Sequence, residues 1–190
     1  MSAQQLSWQL GQPSLELKQA FAAQNLAHIL EDAQDYVSEV NALIHPWLKN
    51  IAQKLTTGVI LLCDYGFDRA EYFHPMRNMG TLMAHHHHRT SSEVLALPGE
   101  QDLTAHVDFT TVAEITLETK LTLLGYTNLA NFLINCGLLD HYQFSNKLDE
   151  FNLLTSPSEM GELFKVIALG RQINLNALDG FKSLDYSHKL

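Results

Sequence analysis

The chain has 190 residues, of which 46% are hydrophobic and 17% charged, the make-up of one globular domain with a substantial core. Its formal net charge of −9 excludes a basic nucleic-acid-binding face and argues against an anionic membrane surface as partner. The longest purely apolar run, Val59 to Cys63, is far short of the ~20 residues of a membrane-spanning helix. The opening MSAQQLSWQLGQ lacks the basic and apolar regions of a secretion signal, and two cysteines make no disulfide framework. A reduced, cytoplasmic setting is the expectation.

In chain order, Leu17, Phe21, Leu26, Ile29 and Leu30 predict an amphipathic helix over 15–32. Val37, Val40, Ile44, Trp47, Leu48, Ile51 and Leu55 predict a second, with Pro46 as a kink or a fresh start. After Thr57-Gly58, the run Val59 to Cys63 reads as a strand buried on both faces, hence as part of a parallel sheet. Residues 67–79 read as an irregular loop, 80–84 as a short strand and Pro98-Gly99 as a turn. Thr111-x-x-Glu114 matches a capping box, so a helix is expected near 111. A strand at 120–127 and helices at 128–135 and 138–154, divided at Gly137, follow. Ser156-Pro157-Ser158-Glu159 reads as the start of a helix running to Gly170, and 179–186 as a closing strand.

The side chains able to do chemistry concentrate between Gly58 and Phe109. Open α/β sheets bind ligands beyond the carboxyl ends of their strands, and Asp64-Tyr65-Gly66 stands there. Asp64 reads equally as a functional carboxylate or as a cap on a backbone turn. The run His85 to His88 invites a metal, yet in a strand only alternate residues share a face, and no zinc-ligand spacing surrounds it. Polar cleft lining, with adventitious nickel or zinc affinity, is the stronger reading. In DLTAHVDF, alternation places Asp102, Thr104, His106 and Asp108 on one face, opposite Leu103, Ala105, Val107 and Phe109. His106 and Asp108 could orient a substrate or move a proton; equally, Asp108 and the threonines could cap the following helix. GxSxG, Walker A and GxGxxG motifs are absent.

GVILLCDYGF, EYFHPMRNMGTLMAHHHHR, LPGEQDLTAHVDFT and LLGYTNLANFLINCGL, with YVSEVN at 36–41, resemble the MidA family of class I S-adenosylmethionine-dependent methyltransferases. That family includes the mitochondrial arginine methyltransferase of complex I assembly. The resemblance implies an α/β fold: the C-terminal part of a Rossmann-like class I methyltransferase sheet with added helices, here one partial domain over 1–190. It implies S-adenosyl-L-methionine as cofactor. It also implies an acceptor pocket shaped by Asp64, Tyr65, His106 and Asp108, with Arg89, His88 and Thr104 as substrate contacts. His86 and His87 partly replace the family's aromatic and basic positions there. Members are about twice as long, and their N-terminal half carries the Gly-rich cofactor turn, which has no counterpart here. The strands expected here are the fifth (59–64), sixth (120–127) and seventh (179–186). The expected activity is methyl transfer, with a protein acceptor and arginine as its target. An interaction module pairing through an open sheet edge, with a missing half or with itself, is the alternative; a histidine-based metal protein is the third reading.

Overall fold

The structure is a computed structural model that describes residues 6–27, 29, 31, 35–87, 89–145, 147–173 and 178–190. In chain order the helices are α1 (Leu15–Ala23), α2 (Ile44–Lys54), α3 (Arg69–Tyr72), α4 (Phe109–Glu118), α5 (Leu129–Asn135), α6 (Leu138–Ser145), α7 (Leu148–Thr155) and α8 (Met160–Leu163). The strands are β1 (Gly58–Phe67), β2 (Met83–His86), β3 (Arg89–Ser91), β4 (Asp102–Thr104), β5 (Val107–Asp108), β6 (Thr122–Asn128) and β7 (Phe164–Arg171). Two units each hold one sheet: Met1–Ala42 with Ala70–His106, and Leu43–Arg69 with Val107–Leu190.

The second unit is built on a four-stranded sheet of order β5-β1-β7-β6. Only the short β1–β5 ladder is parallel; β7 runs antiparallel to both β1 and β6, so the expected parallel sheet is a mixed one. On one face Ile60, Leu62, Ile167 and Leu169 pack with Leu48 and Ala52 of α2 and with Phe109, Val112 and Ile115 of α4. On the other, Val166 and Ala168 pack with Leu129, Phe132 and Phe181.

β1 departs from the expectation of burial on both faces. Its Ile60 and Leu62 meet the first core, whereas Val59 and Leu61 remain 37% and 51% exposed and Cys63 is also exposed. The helix expected over 156–170 is the clearest correction. Ser156 ends α7 instead, and its carbonyl accepts from the N–H groups of Glu159 and Gly161. After the single turn of α8, Phe164–Arg171 is the inner strand β7, with residues 165–170 all buried. A run buried on every side carries no period to tell strand from helix. The strand expected at 179–186 is a 3₁₀ turn, Asp179–Phe181, followed by irregular chain.

In the first unit β2 is flanked by β3 and β4, both antiparallel. Tyr72 and Phe73 lie buried there with ring centroids 4.7 Å apart. Helix α1 starts on Ser14, whose hydroxyl accepts from Leu17 N–H. It ends at Ala23, short of the expected 32; residues 28, 30 and 32–34 lie outside the described set. The helix expected from Val37 begins only at Ile44, the fresh start that Pro46 allowed. Residues 37–41 are held otherwise: Val37 N–H donates to Asn78 O, and Glu39 binds residues 81 and 82.

Candidate functional site

The expected place of Asp64, Tyr65 and Gly66 is just beyond the strand; instead β1 runs on to Phe67, and all three lie within the last part of its ladder, Asp64 opposite Lys165, Tyr65 opposite Phe164 and Gly66 opposite Val107. Asp64 is exposed, and its Oδ1 accepts the Tyr65 backbone N–H at 2.8 Å. The Tyr65 ring packs on Phe164 with centroids 4.2 Å apart, which fixes its direction beside the carboxylate. Gly66 has a packing reason: a Cβ there would lie 2.2 Å from Val107 O and 2.7 Å from the Phe109 ring. Its missing side chain admits β5 against β1.

Asp108 does what the capping alternative requires. It is the N-cap of α4, which therefore begins at Phe109, ahead of the Thr111–Glu114 capping box. Oδ1 accepts from Thr110 N–H at 3.0 Å and Thr111 N–H at 3.3 Å. Oδ2 accepts from Thr111 Oγ1 at 2.7 Å and Arg69 Nε at 3.2 Å. Arg69 continues the network with a two-pronged bond to Glu114, Nη1–Oε1 2.6 Å and Nη2–Oε2 2.7 Å, and reaches Thr111 Oγ1 at 3.0 Å. Burial opposes its charge, yet the Glu114 bonds and the Asp108 and Glu114 charges hold its pKa above the ordinary arginine value. Sequence reasoning passed over Arg69; the signal was a lone cation just past a strand end, with carboxylates at 108 and 114 awaiting a partner.

Arg89, Thr104 and His106 belong to the first unit, and His88 lies outside the described residues. DLTAHVDF is not one continuous strand: 102–104 is β4 of the first sheet and 107–108 is β5 of the second. Its predicted faces do not persist, for Leu103 is 55% exposed while Thr104 and His106 are half-buried. Thr104 Oγ1 bonds His85 Nε2 at 3.0 Å, and the His106 backbone N–H donates to Thr81 Oγ1 at 2.9 Å. Arg89 is exposed and pairs with His86 across the β2–β3 ladder. His86 Nδ1 meets Glu100 O at 2.6 Å, His87 turns the hairpin with φ +46°, and the two rings meet edge-on with centroids 4.1 Å apart. Among the described residues no three His, Cys, Asp or Glu side chains gather to hold a metal ion.

Glu39 was not singled out in the sequence. Its carboxylate accepts from Thr81 N–H, Thr81 Oγ1 and Leu82 N–H at 2.9–3.1 Å. Gly80, at φ +73°, makes room for it, since a Cβ would stand 2.3 Å from Glu39 Oε1. This clasp orders the GTL segment.

A mixed sheet with helices packed on both faces places the second unit in the α/β class. The chain belongs to the family described as putative S-adenosyl-L-methionine-dependent methyltransferase, whose model matches residues 1–127. It is 30% identical over 153 residues to the mitochondrial protein arginine methyltransferase NDUFAF7 of Bos taurus, covering 73% of this chain and 32% of that protein. The Mus musculus counterpart is 32% identical over 135 residues, with coverages of 64% and 29%. A likely methyl transferase from Burkholderia thailandensis, crystallised with S-adenosyl-homocysteine, superposes with TM-score 0.82 at 39% identity, covering 90% of this chain and 46% of that one. An uncharacterized protein of the same superfamily and organism gives 0.83 at 38% identity, with coverages of 94% and 49%. The chain thus spans about half the length of these solved relatives and about a third of the curated ones.

Among the described residues, the strand end that carries Asp64 does not offer S-adenosylmethionine a glycine-lined turn. A sulfonium nucleoside needs a glycine-lined turn where backbone can approach it closely, beside a helix N-terminus. Gly66, the glycine at the strand end, is filled by β5, and the helix that follows it is the four-residue α3. In the second unit, a concavity lined by His141, Tyr142 and Phe151 includes no residue of β1. No described helix is long and apolar enough to cross a membrane.

Proposed function

We propose that this chain supplies the acceptor side of S-adenosylmethionine-dependent methyl transfer, and that the acceptor is the guanidinium of a protein arginine. The observation that carries the reading is Asp64: an exposed carboxylate in the carboxyl-terminal part of β1, in a chain of a methyltransferase family. The cow and mouse relatives, both protein arginine methyltransferases, support the choice of acceptor. A carboxylate holds a planar guanidinium through two parallel charge-assisted bonds. Orienting the acceptor nitrogen is the main demand of such a transfer, because alignment rather than strong acid or base chemistry sets its rate. Tyr65, braced on Phe164, walls one side of that position. Asp108, with four hydrogen bonds already made, serves by anchoring the start of α4. The two free cysteines suit the reducing cytoplasm expected from the sequence.

The test is calorimetry with paired peptides that differ only in one arginine or lysine. The arginine peptide binds more tightly, and Asp64→Asn weakens it about tenfold, the loss of one charge-assisted contact. Equal affinity for both peptides, or an Asp64→Asn variant that binds as the parent does, would falsify the guanidinium assignment. The chain alone binds S-adenosylmethionine weakly or not at all; tight binding would overturn its placement on the acceptor side only.

A further inference from the structure

Three polar side chains stand in one row across the second unit's sheet. Asp64 of β1 lies opposite Lys165 of β7, and Lys165 lies opposite Asn128, the last residue of β6. Residues opposed in a ladder carry their side chains on the same face, here the face of Ile60, Leu62, Ile167 and Leu169. A carboxylate and an ammonium so placed would pair directly across the ladder. The ammonium goes elsewhere. Lys165 Nζ donates to Glu162 Oε1 at 3.1 Å and to the Glu162 carbonyl, beyond the end of β7. Asn128, whose Oδ1 caps α5, donates from Nδ2 to the other carboxylate oxygen, Glu162 Oε2. Among the described residues Asp64 bonds only the neighbouring Tyr65 N–H, and it stays exposed.

Stability does not account for this arrangement. The Lys165 side chain is 7% exposed, and residues 166–170 after it are all buried. A buried ion pair generally adds no more stability than apolar residues of the same volume, so a methionine at 165 would serve the strand as well. What the ammonium adds is direction. With one oxygen held by Lys165 and the other by Asn128, the Glu162 carboxylate is fixed in place, yet its side chain is 52% exposed. A carboxylate has about four lone-pair sites, so each oxygen keeps one for a ligand. A group fixed in advance costs that ligand no ordering. The two carboxylates outweigh the single ammonium, and the row still attracts a cation.

We propose that Glu162 is a specificity-determining residue of the acceptor site: Asp64 takes one N–H edge of the guanidinium and Glu162 a second, with Lys165 and Asn128 as the positioning residues that aim Glu162. Asp64 stands on β1, and Glu162 is held against Asn128 of β6, on the far side of β7. Their backbones are thus about two strand spacings apart, ~10 Å, which leaves room between the carboxylates for a planar fork gripped at both edges. A guanidinium offers five N–H donors in one plane and satisfies both carboxylates; an ammonium is a point charge and satisfies one. The second carboxylate therefore reads arginine against lysine. This rests on the reading of Asp64 as the acceptor's anchor and names the residue that makes that anchor selective.

The chain and its Asp64→Asn, Glu162→Gln and Lys165→Met variants are titrated by calorimetry with the paired arginine and lysine peptides. Asp64→Asn weakens both. Glu162→Gln weakens the arginine peptide about tenfold, the loss of one charge-assisted contact, and the lysine peptide by no more than about twofold. Lys165→Met leaves Glu162 charged but unaimed, and lowers the ratio of the two affinities by at least about threefold. Long-range charge acts on both peptides alike and cancels from that ratio. Glu162→Gln combined with Lys165→Met removes both charges together, so it folds even where the single exchange strands the ammonium, and its ratio falls as far. A ratio unchanged in Glu162→Gln or in the double variant, or equal weakening of the two peptides by Glu162→Gln, overturns the proposal and leaves the anchoring by Asp64 standing. A parent that binds both peptides equally, or an Asp64→Asn variant that binds as the parent does, removes the guanidinium reading and the proposal with it.

Discussion

Arg69→Met tests whether the Arg69–Asp108–Glu114 network holds the end of β1 to the start of α4. Methionine keeps the apolar length of the arginine stem and removes the guanidinium. Arg69 and Asp108 side chains are 13% and 8% exposed, so the substitution strands a buried carboxylate. Breaking one partner out of a buried pair costs about 3–5 kcal/mol. Asp108 keeps its bonds from Thr110 N–H, Thr111 N–H and Thr111 Oγ1, and Glu114, half-buried, can rehydrate, so the expected loss is near the lower bound. About 3 kcal/mol lowers the melting temperature of a chain this size by about 6–12 °C. Urea denaturation and thermal melting followed by circular dichroism measure it directly. Asp108→Asn in the Arg69→Met background removes the stranded charge while retaining a capping side chain, and should recover at least about 1 kcal/mol. An Arg69→Met variant within about 0.5 kcal/mol of the parent, or a double variant no more stable than the single, would refute the reasoning.

Gly66→Ala should destabilise by about 2–4 kcal/mol, because the new methyl meets a backbone carbonyl that cannot move without parting β5 from β1; urea midpoints report it, and a neutral outcome would mean β5 is not held there. Glu39→Ala strips the acceptor from the N–H groups of Thr81 and Leu82, so amide exchange at those two positions should accelerate by about tenfold or more, whereas unchanged exchange would show the clasp to be dispensable. Although Cys63 is exposed as a residue, partial desolvation of its thiol, with the Asp64 charge second, pushes the thiol above its ordinary pKa. Its alkylation at pH 8 should therefore be slower than that of a free thiol and climb only at higher pH, and Asp64→Asn should speed it. The sign for stability follows: the contribution of the protonated thiol is fully present below about pH 8.5, the unfolded value, and is lost as pH rises through the folded one. A Cys63 that titrates like a solvated thiol would contradict this environment.

Much of this fold is legible where local chemistry and tertiary context agree. The glycine break before β1 and its continuous apolar run follow from residues 57–63 alone, whereas the extension of the strand through Asp64 to Phe67 depends on the distant partners Lys165, Phe164 and Val107. The division at Gly137, which adopts φ +92° after α5, is legible in the same local way. Reading fails where a run is buried on every side. Phe164–Arg171 follows a persuasive helix-start pattern and contains good helix formers, but the inner position between β1 and β6 outweighs propensity. Alternation fails over 102–109 for a different reason: the chain changes sheets between Thr104 and Val107, so no single face spans the segment. Asp108 was legible as a cap from its spacing to the threonines, but the Arg69 partner that completes its role is thirty-nine residues away.

The pairing of Gly66 with Val107, and of Phe67 with Asp108, also describes a doorway. The chain leaves the second unit after Arg69, two residues past β1, and rejoins it at Val107 in β5, the two points joined by the Arg69–Asp108 ion pair. Everything from Ala70 to His106, including the histidine run, is an excursion whose two ends are tied side by side. The closure cost of such a segment grows only logarithmically with its length. An exchange of that excursion must carry with it the partners of Val37 and Glu39, which bind Asn78, Thr81 and Leu82.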